Sequence, residues 1–162
     1  MSFDDVIQNF SLDIGENLSR NDLLHIQANK SPFLFMDSAH NVVPNMQAGS
    51  KFFFKNDWNI FDVHFENAPM VPASIMIEMM MQTSALAPIM SIKDLKSEHK
   101  PLVFLTSVDN ASFKEKILPD SEVEVRSVIT WLKGKFGKSS AVILDIKGRN
   151  ISRANFQFFC NF

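Results

Sequence analysis

The run from Asn67 to Ile92 carries one charged side chain, Glu78, and spells a helix whose apolar residues fall on every face rather than along one stripe. A helix that is apolar all round has to be enclosed, so this run restricts the chain to folds in which other elements surround one central helix. Ala73 to about Ser91 is predicted as that helix, with Pro72 where loop becomes helix and Pro88 kinking or shortening the far end. Glu78, Gln82 and Pro88 interrupt the run and no basic flank precedes it, which argues against a membrane span.

The rest of the chain supplies the enclosure. Pro32–Met36, Gln47–Phe54, Leu102–Ser107, Val123–Leu132, Ser140–Ile146 and Ile151–Phe159 are rich in β-branched and aromatic residues and are predicted as strands. Lys133–Lys138 and Lys147–Asn150 read as turns. Residues 1–30 are expected to form short helices packed as an appendage, Asn21 or Asp22 capping Leu23–Ala28. The pattern is α+β, a meander around one buried helix, and 162 residues suit a single domain.

A hydrophobic content of 46% excludes a disordered chain, and a net charge of −2 gives no global pull toward nucleic acid. Cys160 is the only cysteine, so no intramolecular disulfide can form, and Met1–Asp5 lacks the pattern of a secretory signal; both suit the cytoplasm. His25, His40 and His99 are isolated and no glycine-rich phosphate loop is present, so neither a metal nor another cofactor is expected.

His64 precedes Glu78 by fourteen residues, with Pro69 and Pro72 between them. The histidine falls on the loop before the helix and the carboxyl about two turns in, so the two can converge from different elements as acid–base chemistry requires. The residues alone leave a second reading open: a hydrogen-bonded core histidine and a glutamate paired with a hidden cation.

The stretch resembles the β-hydroxyacyl-acyl carrier protein dehydratases of fatty-acid synthesis, the FabZ and FabA type, whose pattern is His-Phe, then Pro-Val-Met-Pro-Gly, then a helix bearing Glu or Asp. His64, Phe65, Pro69, Pro72, Glu78 and Gln82 stand at matching offsets. Ser31–Asp37 resembles the family's first strand, Val108–Lys114 its Ile-Asp-Asn-Ala-x-Phe-Lys segment, and Ala154–Phe158 its closing strand, so the likeness spans roughly residues 22 to 160. It implies the hot-dog fold, a long helix wrapped by an antiparallel sheet. It also implies a homodimer that shares its active sites, alone or as a trimer of dimers. The implied reaction is loss of water from a 3-hydroxyacyl chain on acyl carrier protein to give the trans-2-enoyl thioester. Glu rather than Asp at 78 implies dehydration without isomerisation.

Under that resemblance His64 removes the α-proton, and Glu78 of the other subunit protonates the departing hydroxyl. The second role requires burial to lift a carboxyl from a reference pKa of ~4.3. The amides of Ala73 and Ser74, at the helix N-terminus, polarise the thioester. Gln82, Phe104, Phe113 and some of the six methionines between Met70 and Met90 are candidates to bind substrate. Residues 93–162 hold twelve Lys and Arg against eight acids, and Lys114, Lys116, Arg149 and Arg153 are candidates to meet the acidic carrier. The chain departs from the family pattern at Val63, at Glu66-Asn67, at Ala73, at Phe104 where a tyrosine is usual, and at Pro119-Asp120-Ser121. Ala73 narrows the approach to its amide, and Glu66 sits close enough in sequence to act on the imidazole. A non-catalytic hot-dog subunit that binds a carrier or pairs with an active relative, and a hot-dog thioesterase, are the alternatives.

Overall fold

A computed structural model describes residues 1–92 and 100–162; His99 lies outside the described residues. The elements are α1 (Phe3–Asn9), β1 (Glu16–Leu18), α2 (Arg20–Ile26), β2 (Ser38–Val43), β3 (Gln47–Phe54), α3 (Ile60–Val63), α4 (Ala73–Ile89), β4 (Leu102–Phe113), β5 (Ser121–Lys133), β6 (Phe136–Asp145) and β7 (Asn150–Asn161). Seven strands form one antiparallel sheet in the order β1-β2-β3-β5-β6-β7-β4. The 17-residue helix α4 lies across it, which is the hot-dog arrangement.

Why the sheet wraps α4 is written in the alternation along its central strands. Val123 and Val125 of β5 and Ala141 and Ile143 of β6 point to the helix and join Met76, Met79, Met80 and Leu86 in the main core. Val128 of β5 and Val142 and Leu144 of β6 point to the opposite face, where Val6 and Phe10 cover them. Covered on both sides, β6 is buried almost continuously from Ser139 to Leu144. The helix is registered on the sheet by hydroxyl pairs inside the core: Ser84 Oγ meets Ser127 Oγ at 2.7 Å, and Thr83 meets Ser50. Each helix hydroxyl also donates to a carbonyl one turn back, at Met80 and Met79.

Several local expectations are corrected. Pro32–Met36 is not a strand: Ser31–Phe33 turn, and the Phe33 carbonyl and Phe35 amide are satisfied by the side chain of Gln82 rather than by a neighbouring strand. Residues 16–18, expected to be helical, pair with β2 instead. Ser19, not Asn21 or Asp22, caps α2, and Asp22 closes the reciprocal half of that capping box. Pro88 lies within the last turn of α4, which ends at Ile89. The strand predicted at Leu102 runs on without a break to Phe113, and β2 went unpredicted because His40 and Asn41 hide its character.

Candidate functional site

His64 stands at the C-terminal end of α3, its amide donating to the Ile60 carbonyl at 2.9 Å. The loop that follows is closed on itself: Ala68 N donates to Phe65 O at 2.9 Å and Met70 N to His64 O at 3.0 Å. Val71 N then donates to Ile117 O at 2.9 Å, tying the loop to the segment after β4. These bonds hold the imidazole opposite Met70, whose carbonyl oxygen lies 3.1 Å from Nδ1. A carbonyl only accepts, so Nδ1 carries the hydrogen, and in the neutral ring Nε2 is then the bare nitrogen, the form a general base requires. Phe65 stacks on the ring at a centroid distance of 4.2 Å. No salt bridge joins His64 to Glu66 among the described residues.

The imidazole lines an open cleft of about 490 Å³ with Met70, Val71, Ala73, Met76, Phe113, Lys114, Glu115 and Lys116. Ala73 opens α4, where Pro72 supplies no side-chain cap; its carbonyl accepts from the Ile75 amide at 3.0 Å, and the amides of Ala73 and Ser74 are left for another acceptor. Ser74 is exposed beside it. The cleft therefore offers a bare imidazole nitrogen, an uncapped helix N-terminus, an aromatic wall and two lysines.

Glu78 is elsewhere. It faces a second cavity of about 120 Å³, lined by Gln27, Asn29, Met81, Gln82, Ala85 and Ile89 of the helical side and by Pro101, Leu102, Val103 and Leu105. Gln82 Nε2 donates to Glu78 Oε1 at 2.8 Å, and Asn29 Nδ2 donates to the same oxygen at 3.2 Å. Within one chain His64 and Glu78 thus line different cavities. Of the remaining candidates, Phe104 is an exposed residue of β4, Arg153 lies on β7 opposite Ser112 and Val142, and Arg149 is engaged by Asp145 at 2.6 Å. Sequence reading missed Asn29 and the Met70 carbonyl. Asn29 lies 49 residues before Glu78, a separation at which no periodicity operates, and a carbonyl partner leaves no trace in residue type.

Residues 28–154 match the model of the FabA-like domain. The chain belongs to the FabA-like family. It is 27% identical over 142 residues to the 3-hydroxyacyl-acyl-carrier-protein dehydratase FabZ of Halalkalibacterium halodurans, covering 87% of this chain and 97% of that one. It is 29% identical over 141 residues to the FabZ of Bartonella henselae, covering 86% and 87% of the two chains. Among solved structures, a chain of the dehydratase heterocomplex ApeI:P from Xenorhabdus doucetiae superposes with a TM-score of 0.70 at 15% identity, over 86% of this chain and 91% of that one. The smu.793 protein of Streptococcus mutans, bound to acetyl CoA, gives 0.63 at 7% identity over 85% and 96%. Both likenesses concern the FabA-like chain's hot-dog fold. No described helix is long and apolar enough to cross a membrane.

Proposed function

We propose that the protein is a 3-hydroxyacyl-acyl-carrier-protein dehydratase, a hydro-lyase of fatty-acid or specialised lipid synthesis, working as a dimer with two shared sites. The observation that carries the reading is the fixed imidazole: Nδ1–H is held by the Met70 carbonyl, and the ring borders the cleft where α4 begins. FabZ relatives spanning nearly all of the chain supply the reaction class.

In this mechanism His64 Nε2 takes the α-proton, and the electron pair of the broken C–H bond becomes the new C=C bond as the β-hydroxyl departs. Glu78 gives that oxygen its proton, so water leaves. The first-turn amides at Ala73 and Ser74 receive the thioester oxygen as charge builds on it. The proton on His64 and the vacancy on Glu78 cancel when the pair re-equilibrates, leaving the enzyme unchanged.

A partner subunit is part of the reading because one chain does not bring His64 and Glu78 to one cavity. β4 ends the sheet, and Leu102, Phe104, Leu105 and Phe113 stand exposed along it, as Val63 and Phe65 do on either side of His64. Apolar surface of this extent on a strand edge is what a second copy covers. Lys114 and Lys116 line this cleft, which supports a role in meeting acidic groups of the carrier. The expected compartment is the cytoplasm.

Mass-spectrometric conversion of 3-hydroxyacyl carrier proteins of several chain lengths tests the reaction. Wild type is expected to produce the species lighter by one water, with His64→Ala and Glu78→Gln each reducing the rate by about 10²-fold or more. Release of free carrier thiol, or no conversion by folded wild type, overturns the reading.

A further inference from the structure

Two amides converge on Glu78 Oε1, and the orientation of one of them is fixed independently. Gln82 Oε1 accepts from the Phe35 amide at 3.2 Å and Gln82 Nε2 donates to the Phe33 carbonyl at 2.8 Å. Turning that amide over would set donor against donor and acceptor against acceptor. Nε2 therefore faces Glu78, and Oε1 of Glu78 acts as an acceptor in either protonation state. Asn29 Nδ2 comes to the same oxygen from the segment after α2. That segment is itself anchored: Gln27 Nε2 donates to the Gln82 carbonyl at 3.1 Å, and Lys100 Nζ donates to the carbonyls of Leu24 at 2.6 Å and Gln27 at 3.0 Å. Asn29 is thus presented to the carboxyl by a backbone tied to the same helix.

We propose that Asn29 is a positioning residue for the dehydration: together with Gln82 it occupies Oε1 of Glu78, so that the proton to be delivered resides on Oε2. An acid with two equivalent oxygens could hold its proton on the wrong side of the carboxyl, or rotate away from the reacting hydroxyl. Two donors on one oxygen remove both alternatives. The inference rests on the dehydratase reading and on Glu78 as its acid.

Steady-state kinetics of wild type, Asn29→Asp and Asn29→Ala with a 3-hydroxyacyl carrier protein test it. Aspartate keeps the shape of asparagine and lacks its N–H groups. Both variants are expected to lose kcat by about tenfold or more with KM within about twofold of wild type, and with an unchanged melting temperature. Wild-type kcat in folded Asn29→Asp would show that only shape matters there and would overturn the proposal. So would a rise in KM alone, which would make Asn29 a binding residue, or failure of both variants to fold. Absence of conversion by wild type sinks the dehydratase reading first and the role of Asn29 with it. Conversion by wild type with indifferent Asn29 variants sinks only the latter.

Discussion

A histidine serves as a base only once something decides which of its nitrogens is bare, and at position 64 a backbone carbonyl six residues on makes that decision. Because the partner is main chain, it does not depend on the identity of the side chain at position 70. Cys160 shows the opposite use of surroundings: burial alone pushes its thiol up to about 11. Alkylation by iodoacetamide at pH 8 is therefore expected to leave Cys160 unmodified in the folded protein and to go to completion in denaturant, read by intact mass. At this scale the sequence was legible where a residue was conspicuous by its setting. Glu78 stood out as a lone charge and His64 by its place before two prolines. Asn29 and Gln27 were illegible because their partners lie 49 and 55 residues away, joined by the fold and not by spacing.

Among the elements, α4 behaves as a plug. Met79 and Met80 are fully buried in the main core, so replacing either by alanine is expected to cost about 2–5 kcal/mol of unfolding free energy in denaturant titrations. On the other face of the sheet, α1 is fastened by the guanidinium of Arg126 5.3 Å from the centre of the Phe10 ring, and Arg126 in turn bonds Glu124 at 2.6 Å beside His40 at 3.1 Å. Burial works to raise the Glu124 carboxyl, but the hydrogen bonds from His40 and Arg126 outweigh it and bring the group down from 4.5 to about 2. A lowered folded-state value means a contribution that is full above the unfolded value of 4.5 and disappears as pH falls through about 2. Glu124→Gln is expected to be less stable than wild type by about 1–3 kcal/mol at pH 7, with the gap closing as unfolding is followed below pH 4.5. The long strands were legible in their β-branched and aromatic runs, and the central helix in an apolar run too long for a strand and broken by one charge. The Pro32–Met36 error arose because a glutamine side chain can do a neighbouring strand's work.

For the whole molecule, separation of His64 and Glu78 into two cavities makes a prediction about mixtures. His64→Ala and Glu78→Gln chains, each inactive alone, are expected to recover about a quarter of wild-type activity when co-expressed. Random pairing makes half the dimers mixed, and each mixed dimer has one intact site of two. Sites built within one chain would recover none. That β4 ends the sheet was the least legible feature in the sequence, since strand order is set by pairings between distant segments and not by spacing.

That edge has a consequence before any catalysis begins. If the proposed dimer forms along β4, a chain newly released from the ribosome presents its apolar side chains and an edge without a neighbour among the described residues until a second chain arrives. Yield in a host cell should then depend on how fast partners accumulate relative to how fast edges find the wrong neighbour. Refolding by extreme dilution, the usual remedy for aggregation, should work against this protein by keeping the halves apart.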